Sequence, residues 1–152
     1  MWYCYGIHMD AFRPPSPRPQ GVLHDLGLTP DPTALIAAVK AGLDVRVFVE
    51  LANQLGVSEA RLAQIAGIAP TTLGRRKRAG SLAPDESERV LRLAVLLEHA
   101  TRAFEDEADA ADWLGTANVA LGGVTPLDLA DTEFGAREVD DLLGRLEHGV
   151  YS

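Results

Sequence analysis

Thr71, Thr72, Arg75, Arg76, Lys77 and Arg78 fall within eight consecutive positions of a 152-residue chain whose formal net charge is −8. Four adjacent cations are commonly no more than a solvated face. What precedes them gives these four a chemistry: residues 58–66 and 70–78 read as two short helices joined by a tight turn, the dimensions of a helix-turn-helix. On the second helix of such a motif, threonine hydroxyls meet base edges or phosphates, and an arginine grips guanine with two bonds. DNA binding is the chemistry these six residues support. Arg75 and Arg78 are the stronger groove contacts, because Arg76 follows Leu73 by three and shares its inward face. Its stem is expected to pack along the edge with its head free. Gly74, inside the recognition helix, costs about 1 kcal/mol relative to alanine.

The elements that must position this cluster are punctuated in the sequence. Ser58 is a good N-cap, Ala63 permits close crossing of the two helices, and Gly67 supplies the turn. Pro70 suits a first helical position. Leu62, Ile68 and Leu73 are expected to fill the wedge. Upstream, 34–41 and 45–55 read as helices closed by Gly42 and Gly56. Downstream, a long helix is expected from Pro84 to about Phe104, carrying Val90, Leu93, Ala94, Leu97, Ala100 and Phe104 as one stripe. Val95 and Leu96 widen that stripe, which fits either a contact between two copies of the chain or a central helix buried on most sides. No stretch alternates with period two, so an all-α fold is expected.

Charge divides the chain unevenly. Residues 1–104 hold 12 basic and 10 acidic side chains, whereas residues 105–152 hold 2 and 12. The front part suits a polyanion and the back part a different partner, which implies that a fragment ending near Phe104 binds DNA by itself. After the acidic junction EDEADAAD come Trp113 and Leu114, then the loop TANVALGG. Thr125, Pro126 and Asp128 next read as N-cap, N1 and capping-box acid of a short helix. A last helix is expected over about 132–148, with the stripe Val139, Leu142, Leu143 and Leu146, closed by Gly149. His148, Gly149, Val150 and Tyr151 are expected to form a terminal plug on a partner.

Several function classes are set aside. The single cysteine, Cys4, has no partner for an internal disulfide or a metal site, and a reduced cytoplasm is expected. The four histidines are scattered and no nucleophile motif is present, so neither catalysis nor a cofactor or metal is expected. No window approaches the roughly 20 uncharged residues of a membrane span, and no export signal is read at the start. Residues 1–31 read as a flexible Pro/Gly-rich leader with room for one short turn, within which Met9 is a second candidate start.

The run LAQIAGIAPTTLGRRKRAGSLAPDESERVLRLA followed by ADWLGTANVALGGVTPLDLADTEFGAREVDDLLGRLEHGVYS resembles the Xre/MbcA/ParS family of antitoxins, partners of RES-domain toxins in bacteria. The resemblance implies an Xre-like helix-turn-helix domain over 32–104 and a small helical toxin-binding domain over 105–152. It implies a RES-domain toxin, similar to ADP-ribosyltransferases and consuming NAD, whose cleft the antitoxin covers. It also implies operator DNA as the site of autorepression, with a homodimer inside a toxin–antitoxin hetero-oligomer. Trp113, Leu114, Asn118, Leu121, Gly122, Gly123, Pro126, Leu127, Gly135, Val139, Leu143 and Gly149 match the toxin-binding motif. A departure is that two helices begin Ala-Pro, at Ala69 and Ala83, where a serine or threonine cap is commoner. The rival reading is a stand-alone repressor whose tail only dimerises.

Overall fold

A computed structural model describes residues 21–149, and these fold as helices with no strand among the described residues. The order is α1 (Val22–Asp25), α2 (Pro32–Ala41), α3 (Val45–Leu55), α4 (Glu59–Ile65), α5 (Pro70–Ala79) and α6 (Pro84–Phe104). Then follow α7 (Glu107–Leu114), a 3-10 turn (Val119–Leu121), α8 (Pro126–Leu129) and α9 (Glu133–Glu147). Helix starts are set by side chains that accept otherwise unpaired N–H groups: Asp31, Asp44, Ser58, Asp106, Thr125 and Thr132 each cap one. Such a cap contributes about 1 kcal/mol. Ala69 and Ala83 offer none, but at Ala83 the Glu86 carboxylate accepts the backbone N–H at 2.9 Å, half of a capping box.

The long helix α6 is the axis, with α1, α2, α3, α7 and α9 packed along it. Its Val90, Leu93, Ala94, Leu96, Leu97 and Ala100 all belong to one hydrophobic core that also takes Phe48 and Leu51 of α3, Leu114 of α7 and Val139 and Leu143 of α9. The core therefore crosses the charge boundary at 105 without a break. Of the two alternatives for the widened stripe, Leu96 follows the buried central helix, and only Val95 of that pair remains half-exposed.

Three expectations are corrected. Residues 21–31, read as flexible leader, hold α1, whose Val22 and Leu23 are buried together with Leu26; the Leu23 N–H donates to Glu98 of α6 at 2.9 Å. The acidic junction is helix α7, because Asp106 caps it and Glu107 and Asp109 sit in the first turn, where the dipole favours carboxylates. On α9, Leu142 and Leu146 are only half-buried, and the inward face is completed by Gly135 and Ala136. Cys4 and Met9 lie outside the described residues.

Gly135 marks the tightest crossing. A Cβ there would stand 1.7 Å from the Leu129 carbonyl oxygen and 2.7 Å from its carbon, both backbone atoms. Replacing a helical glycine by alanine normally gains about 1 kcal/mol. Here the sign reverses: Gly135→Ala is expected to lower stability by roughly 2 kcal/mol or more through forced separation of α8 and α9, read as a drop in the urea midpoint. At Gly144, on the same helix with nothing within 4 Å, alanine is expected to raise it.

Candidate functional site

Two surfaces follow from this scaffold. The first is the helix-turn-helix. Leu62 and Ala63 of α4, Ile68 of the turn and Leu73 of α5 are buried, and Gly67 takes φ +68°, the left-handed conformation the turn requires. The end of α5 is tied back to the α2–α3 connection, with Val45 N–H donating to the Gly80 carbonyl at 3.0 Å and Leu82 N–H to that of Leu43 at 2.8 Å. Leu43 N–H in turn donates to the buried Ser87 hydroxyl at 2.9 Å.

At 3.6 residues per turn, Thr71, Arg75 and Arg78 lie opposite Leu73 on α5 and share one outward face. All three are exposed. Neither Arg75 nor Arg78 has an acidic partner among the described residues; Arg75 donates only to the Thr72 hydroxyl, at 3.4 Å. The other two cations are engaged. Lys77 Nζ lies 2.7 Å from Glu59 of α4. Arg76, expected to keep its head free, is instead bound in a fork to Glu86, Nε at 2.9 Å from Oε2 and the terminal nitrogen at 3.2 Å from Oε1. Burial pushes the Glu86 carboxyl up, but the bonds from Arg76 and from the Ala83 N–H outweigh it and hold the group below its ordinary value. Of the six residues expected to read DNA, three thus form an open face, Thr72 flanks it, and Arg76 and Lys77 turn toward neighbouring helices.

The second surface is the tail. Trp113 is half-buried, its ring 5.6 Å from that of Phe104 at 45°. Asn118 builds the next loop: its side chain accepts the Ala120 N–H at 2.9 Å, its carbonyl accepts from Leu121 and Gly123, and its own N–H donates to Val124. Gly122 and Gly123 both take positive φ to close that loop. Pro126 and Leu143, expected to touch a partner, are buried, Leu143 to 1% exposure, and so pack within the chain's own fold. Leu121 is half-buried against the core, whereas His148 and Gly149 are exposed; Val150 and Tyr151 lie outside the described residues.

Two residues missed by the sequence reading stand out on this surface. Val119, at the loop tip, is 93% exposed, and Phe134, in the first turn of α9, is 76% exposed. Phe134 carried a signal, since it falls off the apolar stripe of its own helix. Large apolar side chains this open mark an interaction surface when they cluster with polar rims. The two surfaces are joined by an ion pair between Arg61 of α4 and Asp128 of α8. Burial raises the Asp128 carboxyl, while the Thr125 hydroxyl and Arg61 outweigh it and lower it overall.

Glu107 behaves in the opposite sense. Burial first, and then Asp25, Glu50 and Asp106, push its carboxyl above the ordinary 4.5. The folded state therefore holds its proton more tightly than the unfolded chain, and stability falls as pH rises from 4.5 through the raised value. Glu107→Gln is expected to raise the thermal midpoint at pH 7, with the gain vanishing below pH 4.5; an equal gain at all pH values would contradict this.

No helix among the described residues is long and apolar enough to cross a membrane. Comparison with known proteins matches residues 34–95 to the antitoxin Xre-like helix-turn-helix domain and residues 99–149 to the antitoxin Xre/MbcA/ParS C-terminal toxin-binding domain. A protein of Yersinia enterocolitica named Antitoxin Xre is 34% identical over 95% of this chain and its own entire length. Another Antitoxin Xre, from Photorhabdus laumondii subsp. laumondii, is 36% identical over 78% of this chain and 81% of its own. With both domains matched in order on a fold that presents an open basic helix face and exposed apolar side chains in its acidic tail, the chain belongs to the Xre/MbcA/ParS family of antitoxins, whose partners are a toxin and DNA.

Proposed function

We propose that this antitoxin neutralises an NAD-consuming toxin of the RES-domain type by covering its cleft, and represses its own operon by placing α5 in the major groove. The observation that carries the reading is the open face of Thr71, Arg75 and Arg78, set against an acidic tail that presents Val119 and Phe134. A recognition helix with free arginines on one side supplies both phosphate and base contacts. An acidic segment with open apolar side chains suits a protein partner and repels DNA. Thr72 stays in the DNA set as a flanking hydroxyl. His148 and Gly149 stay in the toxin set with Trp113, Asn118, Leu121, Gly122 and Gly123, and the terminal plug at Val150 and Tyr151 stays part of the proposal. Two copies per operator, meeting near Val95, fit the two-fold half-sites that helix-turn-helix proteins read.

A labelled duplex from upstream of the chain's own gene tests the DNA arm. The proposal expects saturable binding that survives excess unrelated DNA and weakens steeply with salt, at a log–log slope near −0.9 per phosphate contact. Binding that unrelated DNA displaces equally well would contradict autorepression.

A further inference from the structure

We infer that Arg76 is a positioning residue for DNA recognition: its fork onto buried Glu86 fixes the rotation of α5 and so aims Thr71, Arg75 and Arg78. The inference rests on the proposed operator binding, but its cause lies in the packing of α5. That helix has one buried side chain, Leu73. Apolar contact has no direction, so Leu73 alone does not set the roll of α5; the Gly80 carbonyl holds only the end of the helix, and the Lys77–Glu59 pair is an exposed contact on a flexible stem. Rolling by about 20° displaces groups at the helix's outer radius by on the order of 2 Å, beyond the distance range of a hydrogen bond.

The second anchor comes from α6. Arg76 lies one turn beyond Leu73 on the same side, and the Glu86 side chain that receives it is 7% exposed. Both of its oxygens are engaged, one by Arg76 and the other by Arg76 and the Ala83 N–H. A planar fork on a carboxylate fixed in this way is directional, unlike a lone ammonium. One turn further along α6, Arg89 Nε donates to the Ala66 carbonyl at 2.6 Å, at the end of α4. The first two turns of α6 thus hold the start of the turn and the middle of the recognition helix, and Arg76 is held away from the face that Arg75 and Arg78 occupy.

The full-length chain and its Arg76→Lys, Arg76→Met and Glu86→Gln variants are titrated with the upstream duplex at several salt concentrations. A clamp predicts that Arg76→Lys, which keeps the charge, weakens binding roughly tenfold, the loss of one misaligned base contact. Glu86→Gln should weaken it as much, although removing a negative charge favours DNA electrostatically. The salt slope should stay at the wild-type value in all three. Arg76→Lys binding like wild type, Glu86→Gln binding more tightly, or a slope smaller by about 0.9 in Arg76→Met would make Arg76 a phosphate contact and overturn the clamp.

Amide hydrogen exchange of the free proteins gives a readout independent of DNA. Faster exchange along α5 with α3 unchanged in Arg76→Lys is expected, and unchanged α5 exchange would overturn the clamp. Failure of the wild-type chain to bind the duplex would sink operator binding, while the exchange result would still decide the role of Arg76. If Glu86→Gln loosens α3 as well, Arg76→Lys, which leaves the carboxylate in place, carries the decision.

Discussion

Arg75→Glu combined with Arg78→Glu is expected to abolish operator binding while leaving toxin neutralisation close to wild type. Each substitution replaces a cation on the outward face of α5 with an anion, so two attractive groups become two repulsive ones beside the phosphates. A bidentate base contact carries about 1–3 kcal/mol and a phosphate contact adds to the salt slope. Losing two of them, with repulsion added, predicts a loss of at least about a hundredfold. Neither side chain has a partner among the described residues of the tail, and the ion pair that joins the surfaces uses Arg61 and Asp128 instead. An unchanged affinity in a gel-shift titration would remove α5 as the recognition helix.

The second large effect is a consequence of the continuous core. A chain ending at Phe104 is expected to lose cooperative folding, and with it DNA binding, although the charge boundary at 105 invites cutting there. Truncation removes α7 and α9, both packed along α6, whose Leu93, Leu96, Leu97 and Ala100 are no more than 3% exposed. Uncovering even two leucines costs about 3–6 kcal/mol, comparable to the whole stability of a small domain. Circular dichroism should show weak, non-cooperative melting of the fragment. A sharp transition near that of the full chain would mean that the two parts fold separately.

This contrast shows what the residues reveal in one dimension. The helix-turn-helix was legible because its geometry is punctuated locally: Ser58 caps, Gly67 turns, Pro70 restarts and Gly80 stops, each through its own backbone or side-chain constraint. Helix α1 was not, because four residues inside a Pro/Gly-rich stretch show no period, and it is the packing against α6 that gives Val22 and Leu23 somewhere to go. Helix α7 was hidden by its charges, which read as a linker until Asp106 is seen to cap it.

The site divides in the same way. That Arg75 and Arg78 face outward follows from their spacing relative to Leu73 alone. The engagement of Arg76 by Glu86, Lys77 by Glu59 and Arg61 by Asp128 depends on how helices pack, and no local pattern announces it. In the tail, motif positions such as Pro126 and Leu143 are buried in the chain's own fold, while Val119 and Phe134, free at the surface, lay outside the expected set.

The most direct test of the whole account is co-expression of the full chain with the toxin reading frame proposed to neighbour its gene, following growth, cellular NAD and co-purification together. The account predicts that the toxin alone arrests growth and depletes NAD, and that the antitoxin restores both while purifying in a stable complex with it. Arrest and NAD loss that persist in the presence of the folded antitoxin, with no complex recovered, would contradict it.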